Sequence, residues 1–523
     1  MQRSLDSVVD VLRVPASGDP SLAVLPVELR RFARAESCEI LIAGGGTGGV
    51  AAALAAARSG RRVVLLEETD WLGGQMTAQG VSALDEHEHI ESFGGTRSYY
   101  ELRARLREHY GKPNPGACWV TRLAFEPCVA VGVIEGMLPA QVEIHCRVKV
   151  VSVTTEQDRI TEVVAMGLDD SRLLRFRPDL VIDATELGDL LPLCGAEHVI
   201  GAETVAQTGE PQAQPLEAKP HCVQSFTYTF ACERRPKGER HVIACPEKYE
   251  HYRTAQPYSL RIEVHGGEIY GETSGWLQYS LYEQLPGTKG GLWTYRRLVE
   301  EQDLTMFNWP GNDYRDRSLL DCSPHDAAKA LQDAKRVSLG FLYWLQTDQG
   351  APELRLRPDV MGTADGLSKH PYIRESRRIK AKKTIVEQEV SANHQKGPRA
   401  AHFPDSVGVG WYPIDIHRSG PDDVGASCRT KPFQIPLGAL LPVRVNNLIA
   451  GAKNIGTTHI TNGCYRLHPV EWNVGEAAGA LAAFALGNRM PPAAVRKDAG
   501  ALERFQRGLL EEGVPLTWNN WSL

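Results

Sequence analysis

A nucleotide-binding motif near the start of the chain constrains its fold more than any other feature. Residues 40–43 form an apolar run with the length of a buried strand, and Gly44, Gly46 and Gly49 then fit the spacing G-x-G-x-x-G. An alanine-rich helical segment follows, and a second run of β-branched residues leads to Glu67. Strand, glycines, helix, strand and acid in this order predict a Rossmann-like βαβ unit.

Each residue type in this motif has a physical purpose. Gly44 permits the tight turn, Gly46 lets the backbone approach a pyrophosphate, and Gly49 lets the helix lie close to the strand. The helix N-terminus offers free N–H groups to phosphates, and Glu67 can accept hydrogen bonds from ribose hydroxyls. We include three neighbours in the predicted cofactor site: Thr47, Gly48 and Glu68.

A glycine pair after the second strand distinguishes between two dinucleotides. The βαβ motif alone fits both NAD and FAD. Gly73 and Gly74 resemble the second glycine signature of the FAD-binding proteins related to glutathione reductase and fumarate reductase. Paired glycines let backbone N–H groups approach the cofactor phosphates, which an NAD dehydrogenase does not need. We therefore expect FAD.

Composition excludes several other classes of protein. The 523 residues carry a net charge of −6 without a long Lys/Arg run, which argues against a nucleic-acid partner. The eleven cysteines are scattered without C-x-x-C spacing, so we expect no metal site and free thiols in a reducing cytoplasm. We expect neither a signal peptide nor a membrane span. Homo-oligomerisation stays open.

The pattern along the chain predicts an α/β fold, with a Rossmann-like FAD-binding domain and a parallel sheet interrupted by an inserted α+β substrate or cap domain. Residues 141–153 alternate as one strand. The expected parts are an N-terminal extension (1–37), the first FAD-binding segment (38–201), the insert (202–370), the returning FAD-binding segment (371–490) and a helical tail (491–523).

Four segments together resemble one family, the fumarate-reductase-like "FAD-oxidored" group of FAD-dependent oxidoreductases. They are the βαβ unit, the run Val-Ile-Asp-Ala-Thr-Glu-Leu-Gly-Asp-Leu at 181–190, the run Arg-Glu-Ser-Arg-Arg-Ile at 374–379, and the stretch from 447 to 479. The resemblance covers residues 38–488 and implies a flavoenzyme with a small-molecule substrate.

The resemblance also implies further cofactor residues. Glu186 stands where the family has the glycine of Ala-Thr-Gly, which is a departure. Residues 74–79 contain no histidine for covalent attachment, so we expect non-covalent FAD. A helix beginning near Pro469 would direct its N-terminus at the flavin. The implied contacts with the cofactor are Gly73, Gly74, Gln75, Val148, Ala184, Thr185, Asp189, Gly451, Asn454, Gly475 and Ala477.

Two polar segments before that helix contain the candidate catalytic groups. Hydride transfer needs a base for the substrate proton and cations for an anionic substrate. The candidate bases are His417, His459 and His468, and Arg466 could orient a carboxylate. Arg466 and His468 rank first because the helix start brings them towards the flavin. For each histidine, the alternative is a structural role.

The leading hypothesis is an FAD-dependent oxidoreductase that transfers a hydride between a small polar substrate and flavin N5, with an unknown electron acceptor. The alternatives are a flavin-dependent RNA-modifying or assembly protein and a redox-silent FAD-binding scaffold. Three arginines, Arg374, Arg377 and Arg378, could orient a carboxylate or form a salt-bridged helix face.

Overall fold

The computed structural model describes residues 1–29, 35–264, 275–420, 423 and 425–518. The first part of the chain forms most of the central sheet and the helices beside it. Its elements are β1 (Gln2–Ser4), β2 (Ser7–Val9), β3 (Val24–Pro26), β4 (Glu36–Ala43), α1 (Thr47–Ala57), β5 (Val63–Glu67), α2 (Arg97–Tyr110), α3 (Pro127–Met137), β6 (Val142–Cys146), β7 (Val148–Glu156), β8 (Arg159–Gly167), β9 (Leu173–Asp183) and α4 (Leu190–Cys194).

The middle of the chain has shorter strands and one long helix. Its elements are β10 (His198–Val199), α5 (Val205–Thr208), β11 (Phe230–Arg234), α6 (Tyr249–Ala255), β12 (Arg261–Val264), β13 (Gly275–Gln278), α7 (Leu292–Tyr295), β14 (Arg297–Val299), β15 (Leu304–Phe307), α8 (Pro324–Thr347), β16 (Leu354–Leu356), α9 (Pro358–Met361) and β17 (Arg378–Ile379).

The last part returns to the central sheet and ends in helices. Its elements are α10 (Glu387–Val390), β18 (Ser406–Gly410), β19 (Ile414–Ile416), β20 (Ala426–Cys428), β21 (Phe433–Pro436), β22 (Leu448–Ala450), α11 (His459–Tyr465), α12 (His468–Gly487), α13 (Pro492–Lys497) and α14 (Ala499–Glu511).

The central sheet confirms the predicted α/β class. Its order is β1-β7-β8-β9-β4-β5-β6, and β22 also pairs with β9. Strands β4, β5, β6, β9 and β22 run parallel, with Leu41 opposite both Val64 and Val181. Parallel strands end at the same edge of a sheet, so the turns after β4, β5, β9 and β22 meet there.

The predicted single strand over residues 141–153 is wrong. The structure has two strands, β6 and β7, and Arg147 between them adopts a left-handed conformation with φ of 60°. Strand β6 pairs in parallel with β5, whereas β7 pairs antiparallel with β8. The Arg147 guanidinium binds Asp10 and Asp169, and the Arg147 backbone N–H donates to Thr69 O. These contacts fix the chain at the point where β6 ends and β7 begins.

The region predicted as an insert contains a separate four-stranded sheet, β14-β15-β11-β16. Aromatic and aliphatic side chains of this sheet and of α8 form a second hydrophobic core, which includes Phe230, Phe307, Trp309 and Phe341. At the N-terminus, β1 pairs with β7 in the central sheet, and β2 contacts α8. The domain boundaries themselves stay predictions.

Helices α1 and α12 cross in close contact because both carry glycines at the crossing. A Cβ added at Gly475 would overlap Gly48 O, and one added at Gly479 would overlap Ala52 O. All residues of α1 are buried. In the described part of the chain, no helix combines the length and the apolar character needed to cross a membrane.

Candidate functional site

A cleft of about 540 Å³, a volume that includes space open to solvent, lies at the shared carboxyl edge of the parallel strands. Nine residues predicted to hold the cofactor line it: Gly44, Gly46, Glu67, Glu68, Gly74, Val148, Ala184, Thr185 and Asp189. Sequence reasoning missed Gln79, Lys149 and His370, which line the same cleft. Lys149 neighbours the predicted Val148 in β7, whereas the sequence gives no sign that His370 reaches this cleft.

The glycines of the first motif form a cradle that larger residues would fill. Gly44 has a φ of +97°, and a Cβ there would overlap Ala184 O. A Cβ at Gly74 would lie 2.7 Å from Gly46 Cα, so these two glycines face each other. Thr47 Oγ1 donates to Gly73 O over 2.9 Å and thereby joins the two glycine loops.

Glu67 ends β5 with its carboxylate held by three hydrogen bonds. Oε2 accepts from Gly45 N–H (2.7 Å), and Oε1 accepts from the N–H (2.8 Å) and hydroxyl (2.7 Å) of Thr69. Burial and the neighbouring Glu68 charge raise the pKa of Glu67 to about 7. The side chain is therefore fixed at the place predicted for ribose recognition.

Glu68 belongs to an ion-paired cluster at the Val148 end of the cleft. Its Oε2 lies 2.5 Å from Lys149 Nζ, and its Oε1 lies 3.3 Å from His370 Nε2. Burial opposes ionisation, but Lys149 and His370 outweigh it and hold the pKa of Glu68 well below its usual range. The Glu68 carboxylate therefore stays ionised and paired with Lys149 and His370.

Three buried oxygens connected to the glycine cradle lack hydrogen-bond partners. Gln75 donates through Nε2 to Arg466 O (2.8 Å) and to Glu471, yet Gln75 Oε1 and Glu471 Oε1 have no hydrogen-bond partner. Glu186 Oε1, beside Gly46 and Gly74, is also unpartnered. Unsatisfied buried groups and a glycine cradle fit a long ligand that carries many hydrogen-bonding groups, as a dinucleotide does.

Several residues predicted to contact the cofactor do not line this cleft. Gly475 and Ala477 lie in α12, and Gly475 contacts α1 instead. A Cβ at Gly48 would overlap Gly451 O, so this pair also packs backbone on backbone. Asn454 donates to Asp183 O (3.0 Å) and accepts from Ala452 N–H (3.2 Å), so its amide braces the turn after β22.

His468 does not fit the predicted proton-transfer role. Its Nδ1 accepts from Asp85 N–H and its Nε2–H donates to Val81 O, each over 3.0 Å. Burial lowers the pKa of His468 to about 4. The ring is therefore neutral, and neither nitrogen is free for a substrate. His468 instead anchors the first turn of α12.

His459 lies in a buried ion pair. Its Nδ1 is 2.9 Å from Glu375 Oε2, and Glu375 also binds Arg378. Burial opposes a charged ring, but the Glu375 carboxylate outweighs it and raises the pKa of His459 to about 10. A permanently protonated, buried histidine is a poor base, so the structure argues against the catalytic prediction.

His417 is the predicted base that keeps some solvent exposure. Its Nδ1 lies 2.6 Å from Asp313 Oδ2, and its Nε2 lies 3.5 Å from Asp415 Oδ2. Asp313 is also held by Arg374, 3.0 Å away. Burial opposes ionisation of Asp313, but Arg374 and His417 hold its pKa well below the usual range. His417 is thus oriented by a charged carboxylate.

Arg466 adjoins this group from the start of α12. Its Nη1 donates to the Tyr372 hydroxyl (2.6 Å), its Nη2 lies 3.4 Å from Asp415 Oδ2, and its Nε has no partner. Burial opposes ionisation of Asp415, but His417 and Arg466 hold its pKa well below the usual range, and 41% of its side-chain surface is accessible. The neighbouring His417 side chain is 17% exposed.

The three other arginines do not form a helix face. They lie in an extended segment that ends in β17, and each is held by an acidic side chain. Arg377 pairs with Asp189 and Asp321, and Arg378 pairs with Glu203 and Glu375. Within the described ranges, no three His, Cys, Asp or Glu side chains are grouped to hold a metal ion.

Solved structures offer only distant similarity. The p-nitrophenol 4-monooxygenase PnpA from Pseudomonas putida DLL-E4 is 14% identical over 66% of this chain and 70% of its own, with a TM-score of 0.30. The glycerol-3-phosphate dehydrogenase from Bacillus halodurans complexed with FAD is 14% identical over 38% and 40%, with a TM-score of 0.24. The L-proline dehydrogenase from P. horikoshii is 17% identical, with a TM-score of 0.19, and this chain spans 26% of it. Similarities this low carry no argument about function.

No curated protein matches the chain. A family model described as FAD dependent oxidoreductase matches residues 39–509, which include the glycine cradle, Glu67, His417 and the start of α12. The matched region is most of the 523 residues. The protein is therefore an enzyme of the FAD-dependent oxidoreductase family, with FAD as its cofactor.

Proposed function

We propose that this enzyme oxidises a small polar molecule that carries a hydroxyl or amino group, by hydride transfer to flavin N5. His417 is the base that removes the substrate's O–H or N–H proton. FAD, when bound, supplies the hydride acceptor, and it is held without a covalent bond because residues 74–79 contain no histidine. The electron acceptor that reoxidises the cofactor stays open.

One observation carries this proposal. Of the three candidate histidines, His417 combines partial exposure with a carboxylate partner at Nδ1. A His–Asp pair of this kind holds the tautomer in which Nε2 can accept a proton, and the carboxylate stabilises the imidazolium that forms. His459 and His468 are both buried, with ring nitrogens held by protein groups.

The residues around His417 suit a polar substrate. Asp415 can accept a hydrogen bond from a substrate hydroxyl or ammonium group through its accessible carboxylate. Arg466 and the Tyr372 hydroxyl, 2.6 Å apart, can together donate to a carboxylate or carbonyl oxygen. Asp313 stays ionised because Arg374 binds it, so it orients His417 without taking the proton itself.

The experiment is anaerobic flavin reduction by hydroxy acids, amines and sugars, followed by stopped-flow absorbance with the best reductant. We expect His417→Asn to slow reduction by about 10²–10⁴-fold while FAD content and melting temperature stay at wild-type values. The matched control is His241→Asn, which removes a histidine paired with Glu239 in the predicted insert. A wild-type reduction rate in His417→Asn would contradict the assignment.

The same screen tests the redox-silent alternative. If none of the compounds bleaches the flavin, while dithionite reduces it normally, the proposed oxidation is wrong and the scaffold hypothesis gains support. Bleaching by one chemical class identifies the substrate group that His417 deprotonates.

A further inference from the structure

An acidic side chain occupies the glycine cradle of the cofactor site. Glu186 follows β9, where the family pattern has a glycine. A Cβ added at Gly46 would lie 2.5 Å from Glu186 Oε1, and one added at Gly74 would lie 2.7 Å from the same oxygen. The carboxylate therefore lies between the two glycines. Its Oε1 is shielded from solvent and has no hydrogen-bond partner.

This position is also the N-terminus of α1. A Cβ added at Gly74 would lie 3.0 Å from Thr47 N, and the N-cap residue Gly46 has no side chain that could bond the free N–H groups. The positive end of a helix dipole stabilises a carboxylate and a phosphate alike. Glu186 therefore occupies the space that the βαβ motif provides for the pyrophosphate, and the two anions compete.

The second oxygen of Glu186 holds a buried cation. Its Oε2 lies 2.5 Å from Lys453 Nζ, and the same ammonium lies 3.3 Å from Glu471 Oε2. Only 1% of the Lys453 side chain is exposed. The unpartnered atoms Gln75 Oε1 and Glu471 Oε1 lie in the same buried cluster. A buried ammonium needs an anionic partner, whichever anion supplies it.

We propose that Lys453 is a phosphate-binding residue of the FAD site, and that Glu186 is the anion that holds Lys453 in the cofactor-free protein. Two phosphate charges and the Glu186 carboxylate cannot share the cradle, because like charges in a buried site repel strongly. On cofactor binding, the Glu186 side chain moves away from Gly46 and Gly74. The Lys453 ammonium then pairs with phosphate oxygens, while Glu471 remains beside it.

The test is isothermal titration of FAD-stripped protein with FAD, ADP and adenosine. ADP retains the diphosphate without the flavin, and adenosine lacks both. Glu186→Gln removes the competing charge and keeps the size of the side chain, so we expect it to bind FAD and ADP about tenfold more tightly than wild type. Lys453→Met should bind both about tenfold or more weakly. Adenosine affinity should change with neither substitution.

A double substitution separates phosphate binding from simple neutralisation of Glu186. If Lys453 binds phosphate, then adding Lys453→Met to Glu186→Gln still weakens FAD and ADP binding by about tenfold or more. This comparison also stands if Lys453→Met alone fails to fold, because the double variant lacks the unpaired Glu186 charge. Lys335→Met is the control, since Lys335 is a buried lysine paired with Asp365 outside this cleft.

Two results would overturn the proposal. One is Glu186→Gln with unchanged or weaker affinity for FAD and ADP, which would mean that the carboxylate itself binds the cofactor or lies clear of it. The other is a double variant that binds as tightly as Glu186→Gln, which would mean that Lys453 has no contact with phosphate. All of these readouts are binding constants, so they are independent of whether His417 is the base.

Discussion

The close crossing of α1 and α12 makes Gly475→Ala a sensitive test of the architecture. The new methyl group would point at the backbone of Gly48, which cannot move aside as a side chain can. Because α1 carries the glycine cradle at its N-terminus, a shift of α1 also disturbs the cofactor site. We therefore expect loss of both stability and FAD affinity.

The structure sets the size of the effect. The Cβ at position 475 would lie 2.6 Å from Gly48 Cα. Carbon atoms normally pack about 3.5–4.0 Å apart, so the helices have to separate by at least about 1 Å, and the added Cβ would lie even closer, 1.9 Å, to Gly48 O. Overpacking of this kind costs about 1–3 kcal/mol. A Gly→Ala change in a helix also gains about 1 kcal/mol in propensity, so the net loss is smaller.

A matched control in the same helix removes the propensity contribution. A Cβ at Gly487 would meet only Arg61 Nη2, at an ordinary 3.5 Å. Gly487→Ala can therefore gain up to the same amount of helix propensity as Gly475→Ala, without a clash. We expect the free energies of unfolding, measured by urea denaturation with saturating FAD, to differ by about 1–3 kcal/mol between the two variants. Equal stability and equal FAD affinity of Gly475→Ala and Gly487→Ala would refute the packing argument.

Three further outcomes follow from single side chains. Glu67→Ala should lower FAD affinity at least about tenfold, because charged hydrogen bonds to ribose are lost. Fluorescence titration at limiting FAD measures this affinity, and an unchanged value would make the ribose assignment wrong. Burial raises the pKa of Asp183 from 3.8 to about 7. The native state therefore retains a proton that the unfolded chain loses, so the free energy of unfolding falls by at most about 4 kcal/mol as pH rises from 4 to 7. Asp183→Asn should remove most of this pH dependence in urea titrations. His468→Asn should lower the free energy of unfolding by about 1–3 kcal/mol, since the backbone groups of Asp85 and Val81 lose hydrogen-bond partners. The rate of flavin reduction should stay within about twofold of wild type. A large loss of rate without destabilisation would instead support the catalytic role.

Much of the lining of the candidate cofactor cleft could be predicted because its signals are local. The glycines, the helix and Glu67 lie within 30 residues, so their spacing reflects the geometry of one βαβ unit. Hydrophobic periodicity was a weaker guide over residues 141–153. It failed at Arg147, because a left-handed residue leaves the alternation of apolar side chains almost unchanged while the chain moves to another part of the sheet.

The candidate catalytic residues depend on contacts between distant parts of the chain. His468 is bound by the backbone of Asp85, 383 residues away, and His417 by Asp313, 104 residues away. No spacing rule relates such positions, so the ranking of His468 above His417 followed proximity to a helix start alone. The replacement of glycine by Glu186 was visible in the sequence, but its partner Lys453, 267 residues away, was not.

The pairing of β22 with β9, and of α12 with α1, has a consequence for how the protein is made. Every residue of α1 is buried, and α12 contributes much of that cover, yet α12 is synthesised roughly 400 residues after α1. At about 5–20 residues per second, the ribosome needs roughly 20–80 seconds to produce the missing elements. During that time the nascent chain exposes the apolar faces of α1 and the open edge of β9, which is the kind of surface that chaperones bind. The glycine cradle at the N-terminus of α1 therefore gains its support from α12 only after most of the chain has been synthesised.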